Sequence, residues 1–476
     1  MREKSVSWLK RASQEKSPRM PTTDLAAADR QHQIHSLHHP VDTRDAVLCV
    51  SGQGIRVRDA EGREYIDGLS GLWNVNIGHG RAELAEAAAE QMKTLAYFSG
   101  YAGSATVPSI LLADRLTALA PGMEAVFFCS GGAEANESAF KTARYYWKVR
   151  GQSGKIKVIA RIHGYHGVTL QAMSATGIAG YWKMFEPRVP GFLHVDTCYP
   201  YRQDATNPNE TAGQAAARAL EEAILREGPE SVAAFIGEPI HGAGGIIYPT
   251  DDYWPRVREI CRKHNILLIA DEIITGFGRT GRWFGLEHWQ VRPDILSFAK
   301  GVTSGYLPLG GIMVSRDIKE ALDSVEPANR WMHGYTNSGH PPCCAVALRN
   351  IEIIEKEGLV ENAARMGDLL FLALREALGS HPNTGEIRGG KGLLAAIEFV
   401  RDRDTKKNFD AGDQVGARLR DEMRKRGVLT RTRPALGAHP APGDQLFLAP
   451  PLITTETDVH EMVDAARESV AAVLGS

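Results

Sequence analysis

Between residues 76 and 340 the chain alternates short, unbroken apolar runs with amphipathic stretches, and this alternation narrows the fold more than any other feature. The runs span residues 125–128, 157–160, 232–236, 266–270 and 295–298. A strand with one wetted face alternates apolar and polar side chains, whereas a strand apolar at nearly every position is covered on both sides. Between the runs, residues 214–225 and 253–264 carry apolar side chains at helical spacing. Strands covered on both faces and separated by helices predict an α/β fold built on a mostly parallel sheet.

The flanks differ in texture. Residues up to about 75 hold short strand-like pieces, 55–57 and 64–66, around the turn Ala60-Glu61-Gly62. From 341 the chain is helix-rich and then shows strands near 393–399, 428–429 and 445–448. A chain of 476 residues exceeds what one core organises. The expected division is an N-terminal arm, partly disordered (1–40), a first piece of a small α+β domain (41–75), a large domain (76–340) and the rest of the small domain (341–476).

Composition removes several function classes. A net charge of −2 gives no electrostatic reason to bind nucleic acid or an acidic membrane surface. No stretch approaches the roughly 18 unbroken apolar residues of a membrane span. The N-terminus is mixed in charge and lacks the apolar centre of a secretory signal. The six cysteines form no C-x-x-C pair, and the vicinal Cys343 and Cys344 match no redox or metal spacing. A cytoplasmic setting is expected, with these cysteines as small buried hydrophobes.

Ligands of open α/β sheets sit beyond the carboxyl ends of the strands, so the residues that follow each run matter most. After 125–128 comes Cys129-Ser130-Gly131-Gly132-Ala133-Glu134-Ala135-Asn136, then a helical pattern with Ala135, Ala139, Phe140, Ala143 and Trp147 on one face. Strand, Gly-rich turn and helix N-terminus together make a phosphate seat; a tight turn without ligand is the competing reading. The run 266–270 delivers Asp271, whose buried carboxylate needs a partner, and a pyridinium nitrogen would serve. A turn-capping Asp is the alternative. The run 295–298 leads to Lys300 beside Gly301. A partly desolvated lysine can form a Schiff base with an aldehyde, although a lone lysine there is usually solvated. Gly164-Tyr165-His166-Gly167 places an aromatic between glycines, able to lie on a planar cofactor or simply to pack on the core. His166 alone reads as a hydrogen-bonded structural histidine. Glu238, in Gly237-Glu238-Pro239, ends another run and could tune a nearby cation or face solvent.

In this order these motifs resemble the class III, fold-type I aminotransferases dependent on pyridoxal 5′-phosphate (PLP), and among them the ω-aminotransferases of the amine/β-alanine:pyruvate type. The resemblance spans residues 45–457. It implies that Lys300 is the Schiff-base lysine and proton carrier, and that Asp271 is the pyridinium partner. It implies further cofactor contacts from Gly131, Gly132 and Ala133 at the phosphate, Tyr165 and Ile273 on the two ring faces, and His166 and Glu238 nearby. It also implies that Thr336 reaches the phosphate from the other subunit of an obligate homodimer, which can pair further into a tetramer. Trp73 and Leu72 would line the substrate pocket, and Arg431 would be a mobile clamp for a substrate carboxylate. The implied reaction is ping-pong transfer of an amino group from an amine or ω-amino acid to pyruvate or a similar oxo acid. An aminomutase or decarboxylase of the same fold is the alternative.

The chain departs from the family pattern twice. Ser130-Gly131-Gly132-Ala133 lacks hydroxyls that the family turn usually carries, so phosphate binding must lean on backbone N–H groups. A Pro/Gly-rich segment, 434–444, follows Arg431 and leaves Arg433 as an alternative clamp. A nicotinamide dehydrogenase is disfavoured because no G-x-G-x-x-G follows the first strand.

Overall fold

The computed structural model describes residues 22–41, 46–101, 103–203, 209–434 and 442–475. Of the N-terminal arm, residues 1–21 lie outside these, and Thr22–His32 is helical. Most of the Pro/Gly-rich segment, 435–441, also lies outside them. No helix among the described residues is long and apolar enough to cross a membrane.

Strands β1 (Cys49–Gln53), β2 (Arg56–Asp59) and β3 (Glu64–Asp67) lead into the large sheet. That sheet contains β4 (Met123–Cys129), β5 (Lys157–Arg161), β6 (Phe192–Val195), β7 (Val232–Gly237), β8 (Leu267–Asp271), β9 (Ile295–Phe298) and β10 (Gly310–Ser315), in the spatial order β4-β10-β9-β8-β7-β5-β6. Strand β10 runs antiparallel to both neighbours, and all other pairings in the sheet are parallel. The six remaining strands therefore point one way and deliver their carboxyl ends to one edge. All five apolar runs are strands of this sheet.

Strand β8 shows why each run is apolar throughout. Leu267 and Ile269 pack in a core with Ala135, Ala139, Phe140, Ala143 and Trp147 of the helix Gly132–Val149. Leu268 and Ala270 face the other way, toward the helices Ala212–Glu227 and Tyr253–Lys263. Both faces are thus covered, and the period of two puts Asp271 on the side of the helix Gly132–Val149.

The C-terminal part adds β11 (Thr384–Arg388), β12 (Ala395–Phe399), β13 (Val428–Leu429), β14 (Arg431–Arg433) and β15 (Asp444–Leu448). Strands β11-β12-β15-β14 form one antiparallel sheet, whereas β13 joins β3 in parallel within the N-terminal sheet. A buried polar cluster ties this part to the large sheet. Glu398 accepts from Arg202 Nε at 2.7 Å, from Arg388 Nη1 at 2.8 Å, from the Gly443 amide at 3.0 Å and from the Tyr199 hydroxyl. All four side chains are buried, and Glu386, 2.7 Å from Arg388 Nη1, supplies the second carboxylate for the two guanidinium groups.

Candidate active site

Asp271 ends β8 and is 2% exposed. Its Oδ2 accepts from Asn136 Nδ2 at 2.8 Å and lies 2.8 Å from His166 Nδ1, while among the described residues Oδ1 accepts only the Ile273 amide at 3.2 Å. Two side chains on one oxygen offset the cost of burying the carboxylate and leave the other oxygen with spare acceptor capacity.

Lys300 follows β9 after one extended residue and has φ +49°, a sparsely populated conformation for a side-chain-bearing residue. The next position must be glycine, because a Cβ on Gly301 would fall 2.6 Å from Asn76 Nδ2. Among the described residues the Lys300 ammonium has no hydrogen-bond partner, and it lies 5.3 Å from the centre of the Trp73 ring. Burial lowers its pKa from 10.5 to about 8, against the opposing pull of Asp271 and Glu238 and with the help of Arg431. A lysine held this way supplies free amine near neutral pH.

At the third strand end, the first helical bond runs from the Ala135 amide to the Gly131 carbonyl at 3.0 Å. The amides of Gly132 and Ala133 precede it and have no partner within the helix. The Ser130 amide is taken by the Glu134 carboxylate at 2.8 Å, so it is not free for an anion. A Cβ on Gly131 would meet nothing within 4 Å, whereas one on Gly132 would press on Ile273 Cδ1 at 2.8 Å. Ala133 is met from outside by Gly167, whose φ of +120° and 2.7 Å approach leave no room for a side chain.

Tyr165 is half-buried and its amide donates to Glu238 Oε1 at 3.0 Å. The Glu238 carboxylate also accepts the Gly242 amide at 2.8 Å and lies 3.2 Å from His241 Nδ1. It is therefore occupied in fastening two loops, although its charge reaches Lys300. Trp73 is buried in a kinked turn with Ser70, Gly71 and Trp73 all at positive φ, while Leu72 is 49% exposed. Asp67 Oδ2 holds this turn through the Gly71 amide at 2.6 Å, and Arg279 Nη2 reaches Ser70 Oγ at 3.0 Å and Asn76 Oδ1 at 2.9 Å.

The two arginines of β14 separate clearly. Alternation puts both on one face of the strand. Arg433 is buried and donates to the carbonyls of Ala243, at 3.3 Å, and Gly244. Arg431 has no hydrogen bond or ion pair among the described residues, and its guanidinium sits 5.9 Å from the Trp73 ring centre, on the ring that Lys300 also faces. Thr336 is exposed, and its carbonyl accepts from Tyr97 at 2.8 Å. Its segment is anchored through His333, which lies 2.8 Å from both Ser138 Oγ and Lys141 Nζ.

Sequence reasoning overlooked Asn136 as a site residue, together with Arg279, which braces the Trp73 turn. The signal for Asn136 was a polar residue one turn into the helix that follows the Gly-rich loop.

These residues fit PLP: free amides for a phosphate, a buried carboxylate with one open oxygen, and an amine of lowered pKa. Buried polar atoms without partners among the described residues, Trp73 Nε1, Asn136 Oδ1 and His166 Nε2, gather at the same place. The protein-family model for aminotransferase class-III matches residues 39–470. The chain belongs to the class-III aminotransferases. This aminotransferase is 38% identical to the putrescine–pyruvate aminotransferase of Pseudomonas aeruginosa over 461 residues, covering 95% of this chain and 98% of the other. The solved structure of an (S)-enantioselective omega-transaminase from Thermomicrobium roseum superposes with a TM-score of 0.89 at 45% identity, covering 95% and 99% of the two chains. The omega transaminase of Pseudomonas jessenii in complex with PMP gives a TM-score of 0.89 at 38% identity over 94% and 98%. The fold is that of fold-type I transaminases, the cofactor is PLP, and the substrates are small amines and oxo acids.

Proposed function

We propose that this aminotransferase moves the amino group of an amine or ω-amino acid to pyruvate or a similar oxo acid, in two half-reactions that share one site. Bound PLP supplies the electron sink for the bond changes at the substrate carbon. Lys300 would be the residue that bonds the cofactor, and its freed amine would carry the proton. Asp271 Oδ1 would hold the ring nitrogen, Tyr165, Ile273, His166 and Glu238 would contact the ring, and Gly131, Gly132 and Ala133 would hold the phosphate through backbone amides. Trp73 and Leu72 bound the substrate, and Arg431 binds its carboxylate. Thr336 completes the phosphate site of the other subunit in a homodimer, so each site needs both chains. The division into a large domain (76–340) and a small one (41–75 with 341–476) is supported by the pairing of β13 with β3. A cytoplasmic location suits six free cysteines.

The observation that carries the substrate assignment is the Arg431 guanidinium, unpaired among the described residues, over the ring that Lys300 faces. Losing charge-assisted hydrogen bonds of about 1.5–3 kcal/mol lowers affinity roughly 10- to 100-fold. With Arg431→Ala, kcat/KM for pyruvate falls by that factor, whereas the half-reaction of a carboxylate-free amine changes little. Arg433→Ala lowers thermal stability instead, by freeing the carbonyls it binds. If Arg431→Ala leaves pyruvate kinetics intact, the clamp assignment is wrong.

A further inference from the structure

Asn136 is fully buried at the start of the second turn of the helix Gly132–Val149, the helix whose N-terminus faces the Gly-rich loop. Its Nδ2 donates to the His166 carbonyl and to Asp271 Oδ2, both at 2.8 Å. A carbonyl and an ionised carboxylate only accept, so the amide nitrogen, and not its oxygen, must face them. The same Asp271 oxygen is met by His166 Nδ1, and the His166 backbone is held by its amide, which donates to Thr176 Oγ1 at 2.9 Å. Rotating the carboxylate about its Cβ–Cγ bond would break both contacts at once. Among the described residues its other oxygen keeps only the long Ile273 contact.

We propose that Asn136 is a positioning residue of this aminotransferase: it fixes the plane of the Asp271 carboxylate so that Oδ1 alone meets the ring nitrogen of PLP. This rests on the reading of Asp271 as the ring-nitrogen partner. Because Asn136 lies four residues beyond Gly132, one rigid helix then sets both the phosphate seat and the acid at the far end of the cofactor. A packing role for Asn136 would instead ask only for its shape.

The test compares Asn136→Ala, Asn136→Asp and Asp271→Ala with the parent protein. Three quantities are measured: the PLP dissociation constant of the apoenzyme, the pH titration of the holoenzyme's visible absorbance, and the apoenzyme melting curve. Removing a residue that orients a ligating side chain typically costs 10- to 100-fold in affinity, and Asn136→Ala is expected to weaken PLP by roughly that factor and to displace the absorbance titration. Asn136→Asp keeps the shape but puts a second carboxylate against Asp271. It is expected to bind PLP no better than Asn136→Ala at alkaline pH and to recover toward acid, where the two carboxyls share a proton. If Asn136→Asp does not fold, Asn136→Ala decides alone. PLP binding and absorbance titration within twofold of the parent in Asn136→Ala, with only the melting curve changed, would overturn the inference. If Asp271→Ala also binds PLP and absorbs like the parent, it is the underlying reading of Asp271 that fails.

Discussion

Replacing Lys300 by methionine should stabilise the apoenzyme at neutral pH. Methionine keeps much of the length and flexibility of the side chain but carries no charge to desolvate. Burial lowers the Lys300 pKa from 10.5 to about 8, and each tenfold in proton affinity represents about 1.4 kcal/mol. The ammonium therefore costs the fold up to about 3 kcal/mol, an upper bound because the side chain is partly exposed to water. Below pH 8 the lysine is charged in the folded and unfolded states alike, and the full cost is present. Between about pH 8 and 10.5 the unfolded chain holds the extra proton, so the stability of the parent rises with pH and the advantage of Lys300→Met shrinks. Above 10.5 the two should match. Urea unfolding of both apoenzymes at pH 7 and again above pH 10.5 measures this directly. A variant no more stable than the parent at pH 7 would show that Lys300 is not held as a desolvated amine. The same titration should appear in function, with covalent capture of PLP by the apoenzyme rising with pH to a midpoint near 8.

Two further outcomes follow from packing. Gly167→Ala adds a Cβ at φ +120° and 2.7 Å from Ala133; strain of about 1–3 kcal/mol borne by the phosphate turn should raise the PLP dissociation constant roughly 5- to 100-fold, read by equilibrium dialysis, whereas Gly131→Ala, with open space around its Cβ, should bind far better. Glu398→Ala leaves Arg202 and Arg388 buried without their shared carboxylate, which should cost about 3–5 kcal/mol and lower the melting temperature. Burial works against the charge of Glu398, but Arg388 and Arg202 hold its pKa below 4.5, so its contribution is complete above pH 4.5 and is lost only as pH falls further.

The strand ends were legible because a strand buried on both faces cannot hide: each apolar run of β4, β5, β7, β8 and β9 stops where the cofactor edge begins. Strand β10 escaped notice. It opens with Gly310-Gly311, and both glycines are forced by crowding. A Cβ on Gly310 would meet the Gly131 backbone at 3.0 Å, and one on Gly311 would lie 2.4 Å from the Phe127 carbonyl. The residues that make the sheet fit together around the phosphate turn are the ones that erase its strand signal. Strand β6 is interrupted by His194 and β14 reads Arg-Thr-Arg, so neither shows an unbroken apolar run.

The choice between Arg431 and Arg433 could not be read from spacing, since residues two apart on a strand share a face. Only the tertiary contacts separate them, through the Ala243 and Gly244 carbonyls that engage Arg433. Asn136 was illegible for a similar reason: its partner Asp271 is 135 positions away. The strain at Ser70 and Trp73 left no mark in composition, because the turn is held by Asp67 and Arg279 from outside it.

The central claim is that Lys300 is the cofactor lysine. Reduction of the PLP-loaded enzyme with borohydride, followed by proteolysis and mass spectrometry, fixes the covalent link at one residue. The account predicts a pyridoxyl group on Lys300, with loss of the visible absorbance. A pyridoxyl group on another lysine, or an unmodified Lys300 in an enzyme that has lost its colour, would contradict it.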